Sequence, residues 1–297
     1  MNAEPQFIIH HSLFIIPMFV SEAWEYGRSQ LHTTSPTPQL DARLLLEHVL
    51  DANHSWLLAH GDTLLTAVQL TQYRQLIQRA EQHEPIPYLI GHAPFFDLDI
   101  VVNTAVLIPR PETEQLVELA INWGKQKEGI HIVDVGTGSG CIPIILARAL
   151  PKATVEATDI SANALVVARQ NGQRHAPDRI QFHHGHLLDP INHPIDLLTV
   201  NLPYIAADEW TMLDDGVKLY EPAVALKGGA DGLDLIRQLL QQATTKLNPG
   251  GAIFLEIGWQ QGTAVQNLAQ TTFPTAQVEP VADFAGHDRI VVIRTKD

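Results

Sequence analysis

Apolar residues recur at helical spacing in the first third of the chain. Leu70, Tyr73, Ile77 and Ala80 are three or four positions apart, which places their side chains on one face of an amphipathic helix. Another such face begins at Leu40, Leu44 and the Leu45-Leu46 pair, and the proline-containing segment 35–38 separates two of the predicted helices. We therefore predict a small helical domain over residues 20–84.

Helical periodicity then stops at a group of residues that break helices. These residues are Pro85, Pro87, Gly91 and Pro94. Two short extended runs follow, Phe95–Val102 and Ala105–Ile108, with Asn103-Thr104 between them. That arrangement is typical of a β-hairpin, so residues 85–109 are expected to form a linker that contains one.

From Gly129 onward, short apolar runs alternate with helical stretches. The candidate strands are Ile130–Val135, Thr154–Asp159, Ile180–His186, Ile195–Val200, Ala252–Ile257, Ala276–Ala282 and Arg289–Arg294. The helical stretches include Ser139–Leu150, Ser161–Arg174 and Gly232–Leu247. Alternation of this kind predicts an α/β fold with a mostly parallel, Rossmann-like sheet of seven strands over residues 110–297. The last two strands are joined by a short turn and should form a C-terminal antiparallel hairpin.

Hydrophobic content, net charge and cysteine count restrict the functions that this chain can have. The 297 residues are 45% hydrophobic and 18% charged, which is ordinary for a globular protein with a large core. A net charge of −14 argues against a broad nucleic-acid-binding face, because phosphate binding needs clustered Lys and Arg. Cys141 is the single cysteine, so no disulfide can form within the chain, and we expect a cytoplasmic location.

The N-terminal segment Phe7–Val20 is apolar but short. It lacks a basic region before it and contains histidines and a proline, so we expect neither a membrane span nor a signal peptide. Residues 1–19 are treated as an extension of unknown role.

A glycine-rich loop follows the first strand of the predicted sheet and opens a helix. Its residues are Gly136, Thr137, Gly138, Ser139 and Gly140. Glycines let the backbone turn sharply and approach a ligand at a helix N-terminus. A dinucleotide site would have a third glycine where Cys141 stands, so the spacing instead suits S-adenosylmethionine (SAM).

Asp159 ends the next strand, about 20 residues further on, where a carboxylate can accept both ribose hydroxyls. The alternative is a structural turn with a capping carboxylate before Ser161. We favour ligand binding because the strand, the loop, the helix and the acidic residue are in register.

The strand ending at Val200 is followed by Asn201, Leu202, Pro203 and Tyr204. An Asn oxygen can accept a hydrogen bond from a substrate –NH₂, Pro fixes the backbone, and an aromatic ring can lie flat on a planar amide or base. Enzymes that methylate planar amino groups carry a similar set, usually Asn-Pro-Pro-Tyr. Alone, these residues could be a strand-terminating turn. However, Gly136, Asp159, His186 and Asn201 all fall at carboxyl ends of predicted strands, where open α/β sheets bind ligands.

Over residues 20–297, the chain resembles the bacterial release-factor glutamine methyltransferases, the PrmC/HemK family. The blocks that carry the resemblance are Val106–Glu114, Asp134–Cys141, Glu221–Ala223, Gly228–Leu233, Leu255–Gly258 and Asp283–Arg289. The resemblance implies methyl transfer from SAM, leaving S-adenosylhomocysteine, to the side-chain amide of the Gln in the Gly-Gly-Gln motif of release factors. It also implies that the helical domain grips the release factor.

Site roles follow from the resemblance. Gly136 to Gly140 and Asp159 would hold SAM, and Asn201 with the carbonyl of Leu202 would accept both hydrogens of the Gln –NH₂. Pro203 would stiffen the loop and Tyr204 would pack on the amide plane. No metal and no general base is required, since the proton can leave after transfer. We expect release factors as partners, no direct nucleic-acid or membrane binding, and a monomer.

Two residues depart from the family pattern. Leu202 replaces the first Pro of the tetrapeptide, so some loss of rigidity and activity is expected. His186 stands where the family usually has an Asp that reaches the adenine end of SAM. A protonated imidazole cannot accept a hydrogen bond, so weaker SAM binding below neutral pH is expected. A metal site at His183, His184 and His186 is disfavoured, because only His184 and His186 share a strand face and no carboxylate or Cys stands beside them at ligand spacing.

Three other functions stay open. The tetrapeptide could hold an adenine amino group of DNA or RNA, although the acidic net charge weighs against it. A glutamine of a ribosomal protein could be the substrate. The departures at Leu202 and His186 also leave room for a SAM-binding scaffold with weakened catalysis.

Overall fold

The structure, a computed structural model, describes residues 17–297. Contacts along the chain divide it into two compact units, one ending at Ile90 and the other running from Gly91 to Asp297. The extension 1–19 and the apolar segment Phe7–Val20 fall mainly before residue 17, outside the described residues. No helix among residues 17–297 combines the length and apolar character needed to cross a bilayer.

The first unit is helical, as predicted. Its α-helices are α1 (Val20–Gln30), α2 (Pro38–Leu50), α3 (His54–Ala59), α4 (Ala67–Glu81) and α5 (Ile86–Ile90). Helix α4 begins with a capping box, in which Thr66 accepts a hydrogen bond from the Gln69 amide while the Gln69 side chain accepts one from the Thr66 amide. All four residues of its predicted apolar face are buried.

Close packing of α1 on α4 fixes the core of this unit. Tyr73 is fully buried, and its hydroxyl donates a hydrogen bond to the carbonyl oxygen of Ala42 at 3.1 Å. The ring is accommodated because Gly27 lies opposite it on α1. A Cβ at Gly27 would overlap the Tyr73 hydroxyl and lie 2.9 Å from Ile77 Cδ1.

The second unit begins with a two-stranded hairpin of β1 (His92–Phe95) and β2 (Leu98–Val101). The predicted hairpin of Phe95–Val102 with Ala105–Ile108 is wrong. Phe95 pairs directly with Leu98, and the turn at Phe96-Asp97 is allowed because Phe96 adopts a left-handed backbone with φ of 52°.

Residues 105–108 do not form a strand because their polar backbone groups are used elsewhere. The Asn103 side chain accepts a hydrogen bond from the Ala105 amide at 2.9 Å, and the Val106 amide bonds to the Asn103 carbonyl, which makes a local turn. The Ile108 amide donates to the carboxylate of Glu221 instead of to a neighbouring strand.

The main sheet has seven strands in the order β5-β4-β3-β6-β7-β9-β8. The strands are β3 (His131–Val135), β4 (Thr154–Asp159), β5 (Ile180–His184), β6 (Ile195–Val200), β7 (Leu247–Glu256), β8 (Gln277–Ala282) and β9 (Asp288–Arg294). Strands β3 to β7 pair in parallel, whereas β9 runs antiparallel to both β7 and β8. The predicted mostly parallel sheet with a terminal hairpin is confirmed.

Helices cover the sheet. They are α6 (Pro111–Gly124), α7 (Cys141–Ala149), α8 (Ala162–His175), α9 (Asp215–Tyr220), α10 (Asp234–Ala243) and α11 (Gly262–Thr272). Helix α10 ends at Ala243, four residues before the predicted end, because Lys246 already pairs with β6: its carbonyl accepts the Ile195 amide at 2.8 Å. Apolar residues of α10 and α11 form one core cluster with alternate residues of the central strands, such as Val133 and Val135.

We predict that Gly27→Ala destabilises the helical unit. The added methyl group has no room beside the Tyr73 hydroxyl, so overpacking should cost about 1–3 kcal/mol despite the better helix propensity of Ala. Urea denaturation followed by circular dichroism measures this. Gly61→Ala is the matched control, because its Cβ would meet Ser21 Cβ at 3.5 Å, an ordinary contact. Equal midpoints for the two variants would contradict the packing argument.

Candidate active site

The glycine loop after β3 is held by hydrogen bonds to the neighbouring strand β4. Gly136, Gly138 and Gly140 have φ of 74°, 53° and 81°, a region that glycine adopts without strain. The Gly136 and Thr137 amides both donate to the carbonyl of Thr158 on the adjacent strand, at 2.9 and 3.0 Å. These bonds hold the loop against the carboxyl end of β4.

The three glycines are needed for different reasons. A Cβ at Gly140 would lie 3.2 Å from Ala168 of α8, so this glycine permits close packing of the helices. A Cβ at Gly136 would lie 3.0 Å from the side chain of Leu202. A Cβ at Gly138 would meet no atom of residues 17–297 within 4 Å, because Gly138 faces an open cavity.

The side chain of Asp159 is hydrogen-bonded to the same loop. One carboxylate oxygen accepts the Gly138 amide at 2.9 Å and the other accepts the Ser161 amide at 2.8 Å. Burial raises the pKa of Asp159, while these two amide bonds act in the opposite direction. The structural role weighed from the sequence is therefore present, and the residue also lines the cavity, where each oxygen keeps a second lone pair for a ligand.

A cavity of about 260 Å³ opens at the carboxyl ends of β3, β4 and β6. Of the residues predicted to form the site, those that line it are Gly136, Thr137, Gly138, Ser139, Asp159, His186, Asn201, Leu202 and Pro203. Gly140 and Tyr204 do not line it. Burial raises the pKa of Tyr204 to about 12, so its phenol stays neutral.

The side chain of Asn201 is held by a buried polar chain. Its Nδ2 donates to the hydroxyl oxygen of Thr113 at 3.2 Å, and that hydroxyl donates to Glu256 Oε2 at 2.7 Å. Thr113 and Glu256 are each 3% exposed, so water does not compete for these bonds. Because the amide nitrogen is engaged behind it, Asn201 keeps its Oδ1 as an acceptor toward a ligand.

The ionised form of Glu256 fixes the direction of both hydrogen bonds that link Glu256, Thr113 and Asn201. A carboxylate can only accept, so Thr113 must donate to it and must accept from Asn201. Burial raises the pKa of Glu256 to about 7, and the bond from Thr113 acts against that shift. A protonated Glu256 could donate to Thr113 instead, which would remove the constraint on the Asn201 amide.

A second glycine-rich turn, residues 228–232, packs against the backbone of residues 201–204. A Cβ at Gly228 would lie 2.7 Å from the Pro203 carbonyl oxygen, and a Cβ at Gly232 would overlap the Tyr204 carbonyl. The side-chain amide of Gln261 donates to that same Tyr204 carbonyl at 2.9 Å. The turn and Gln261 therefore set the path of the chain after Asn201.

A segment before α6 forms another wall of the cavity. Arg110 pairs with Glu221, whose side chain is 1% exposed, and the same carboxylate accepts the Ile108 amide. Burial raises the pKa of Glu221, and Arg110 opposes that shift. This pair joins residues 105–110 to the segment after α9, and both segments contribute to the cavity lining.

The two departures from the family pattern have structural consequences. Leu202 is 5% exposed, belongs to the core cluster and packs on Gly136, so its side chain fills space between the two loops. His186 lies two residues beyond the end of β5, which stops at His184 rather than at His186 as predicted. The His186 side chain is 39% exposed at the cavity edge, 3.9 Å from Asp189.

From the sequence, no carboxylate is expected at ligand spacing beside His183, His184 and His186, and at His183 this prediction is wrong. Glu156, on the adjacent strand β4, lies 2.7 Å from His183 Nε2 and 2.5 Å from His193 Nε2. Sequence spacing did not reveal this contact, because the parallel register between β4 and β5 brings together residues that are far apart along the chain.

Sequence reasoning also missed the supporting residues Thr113, Glu256, Glu221 and Gln261. The first three lie in blocks that carry the family resemblance, but nothing in the sequence pairs a helix residue with a strand residue 143 positions later. The signal that could have found them is a polar residue in an otherwise apolar strand or buried helix face, as for Glu256 at the end of β7.

Comparison with known proteins agrees with this geometry. The sequence profile described as the PrmC N-terminal domain matches residues 22–91, and the profile described as the methyltransferase small domain matches residues 117–223. The crystal structure of a methyltransferase from Pyrococcus furiosus is similar in fold, with a TM-score of 0.51 and 18% identity over 68% of this chain and 91% of that one. Fold and cavity together define a methyltransferase of the Rossmann-like class.

Curated relatives give the particular family. The release factor glutamine methyltransferase of Xylella fastidiosa (strain Temecula1) is 39% identical over 262 residues, which cover 88% of this chain and 94% of the relative. The protein of the same name from Bacillus anthracis is 38% identical over 282 residues, 92% of this chain and 98% of the relative. The chain belongs to the release factor glutamine methyltransferase family.

We predict that the turnover number rises with pH around 7 and that Glu256→Gln removes this dependence. Above its pKa of about 7, Glu256 is ionised and orients Asn201, whereas below it the constraint is lost. The measurement is kcat at saturating SAM between pH 5.5 and 8.5. The variant should be slow and flat with pH.

Two controls accompany this pH series. Burial also raises the pKa of Asp134 to about 7, so a wild-type profile alone does not identify the group. Glu118→Gln changes an exposed carboxylate on the same helix as Thr113 and should keep the wild-type profile. A Glu256→Gln variant with an unchanged profile would refute the role given to Glu256.

Proposed function

We propose that this protein transfers a methyl group from SAM to the side-chain amide nitrogen of the Gln in the Gly-Gly-Gln motif of peptide chain release factors. The supporting observation is the fixed Asn201 side chain, which offers an amide acceptor beside the glycine loop. The names of the relatives give the substrate class. Family membership and geometry therefore favour the same reaction.

The cavity fits the donor. Its walls combine the apolar side chains of Val135, Ile142 and Leu187 with polar groups at the strand ends. Gly138 leaves its side of the loop open, and Asp159 keeps free lone pairs toward the cavity. SAM supplies an electrophilic methyl group on sulfur and leaves as S-adenosylhomocysteine. Thr137, Gly138 and Asp159 are the residues that would hold it.

The protein's task is to aim a poor nucleophile. An amide nitrogen has a delocalised lone pair, so its approach must be in line with the methyl group. Asn201 Oδ1 and the Leu202 carbonyl accept the two hydrogens of the glutamine –NH₂, which fixes the direction of that lone pair. The same two acceptors stabilise the positive charge that develops on nitrogen. The proton then leaves after transfer, so no side chain has to remove it first.

We predict that Asn201→Ala lowers kcat by about 10²–10³-fold while SAM affinity changes little. Removing a preorganised group that stabilises developing charge has effects of this size. Peptide mass spectrometry of a release factor incubated with enzyme and SAM follows methylation, and isothermal titration follows SAM binding. Asn192→Ala, an exposed asparagine outside the cavity, is the matched control.

The same assay separates the other functions. Methyl groups found on duplex DNA, RNA or a ribosomal protein, with none on the Gly-Gly-Gln glutamine, would refute the proposal. A release factor in which that glutamine is changed to Glu should accept no methyl group.

We predict that Leu202→Pro changes kcat by less than about tenfold. The residue before Pro203 is already biased toward an extended backbone, so added rigidity contributes only about 0.4–1 kcal/mol. Loss of the Leu202 side chain from its contact with Gly136 works against that gain. Single-turnover methylation of a release factor measures the difference. Turnover only in the Leu202→Pro protein would show instead that the native chain is a binding scaffold.

A further inference from the structure

A second cluster of polar side chains surrounds Glu156. Glu156 is the third residue of β4 and is 7% exposed. His131 begins β3, and His193 lies in the loop that leads into β6. These residues are near the amino ends of β3 and β6, whereas Gly136 and Asn201 follow their carboxyl ends. The cluster is therefore distinct from the proposed methyl-transfer site.

Glu156 and His193 meet in a way that requires a cation. His193 Nδ1 lies 3.1 Å from the carbonyl oxygen of Pro194, so Nδ1 carries a hydrogen and donates it. In a neutral ring the other nitrogen, Nε2, then carries a lone pair, and it lies 2.5 Å from Glu156 Oε1. Two lone pairs at this separation repel each other unless a proton or a metal ion lies between them.

His131 adds a third potential ligand. One ligand atom each from His131, Glu156 and His193 lie within 4.8 Å of one another. The His131 Nδ1 is buried and has no hydrogen-bond partner among residues 17–297. Such an orphaned nitrogen is costly unless something binds it. The backbone at His131 is itself fixed, since its amide donates to Asp196 Oδ2 at 2.8 Å.

We propose that His131, Glu156 and His193 bind one Zn²⁺ ion. Two imidazoles and a carboxylate hold Zn²⁺ in metalloenzymes, with water in the fourth position, and no thiolate is needed. Zn–N and Zn–O distances of about 2.0–2.2 Å require the side chains to adjust: His193 Nε2 and Glu156 Oε1, 2.5 Å apart here, must separate, and His131 must move toward them. The carbonyl of Pro194 already orients the His193 ring, as outer hydrogen bonds do for zinc ligands.

His183 and Lys246 complete the surroundings. His183 Nε2 lies 2.7 Å from Glu156 Oε2, the carboxylate oxygen that does not face His193, without the alignment of a hydrogen bond. Lys246 donates to the carbonyls of Leu188 and Ile191 and opposes a positive charge at His193. The pKa of His193 is nevertheless raised, by the Pro194 carbonyl first and also by Glu156, so the competing arrangement is a protonated His193 paired with Glu156, and a zinc ion has to displace that proton.

The bound ion would act on structure. It would link the loop before β6 to strand β3. That loop begins at Gly185 and His186, which line the cavity. Zinc binding replaces the proton on His193 Nε2, so that proton is released to solvent.

The test uses the full chain after chelator treatment, with ZnCl₂ titrated by isothermal calorimetry in two buffers of different ionisation enthalpy. We expect one tight site per chain, proton release on binding, and a higher Tm with zinc. Glu156→Gln and His193→Gln should each weaken binding by at least about tenfold. His184→Gln is the matched control, because His184 is exposed and its ring bonds to the Ile160 carbonyl, outside the cluster.

Folding of each variant is checked by SAM affinity, which depends on the other end of the sheet. Co²⁺ substitution gives a second readout, since a tetrahedral site absorbs in the visible range. Binding that is equally weakened by His184→Gln, or unaffected by Glu156→Gln and His193→Gln, would overturn the proposal. Absence of a tight site in the native chain would show that a protonated His193 pairs with Glu156 instead.

Discussion

A buried carboxylate and a buried hydroxyl determine how Asn201 can be used. Glu256 accepts the Thr113 hydroxyl, and Thr113 accepts the Asn201 amide nitrogen, so the direction of each bond follows from the one before it. The three side chains come from β7, α6 and the end of β6, which the sheet and its covering helix bring together. This fixed orientation requires a buried carboxylate, and burial disfavours its ionised form: it raises the pKa of Glu256 to about 7.

Close backbone packing supplies the rest of the site. Gly136 leaves room for Leu202, and Gly228 leaves room for the Pro203 carbonyl, so loops from β3, β6 and the turn before α10 lie in direct contact. The contacts of Gly228 and Gly232 are with the backbone carbonyls of Pro203 and Tyr204, whereas Gly136 contacts the side chain of Leu202. The backbone after position 202 is therefore held in place by these glycines, and the Leu202 side chain fills the space beside Gly136.

Sequence reasoning predicted the parts of the molecule that depend on local pattern and on strand order. The burial of Tyr73 follows from helical periodicity, and Gly136 and Asn201 meet because parallel strands end at one edge. It failed where an interaction joins distant segments. The turn at Phe96 requires a left-handed backbone, which a phenylalanine in the sequence does not predict. The contacts of Thr113 and Glu156 depend on sheet register and helix placement.

The central claim is that Thr113 and Glu256 act on catalysis only through Asn201. A double-mutant cycle with Thr113→Val and Glu256→Gln tests it most directly, with kcat for release-factor methylation as the readout and SAM affinity as the check on folding. If both residues orient the same amide, the double variant should be no slower than the slower single variant. Additive losses in the double variant would mean that the two side chains act independently, and would contradict the account.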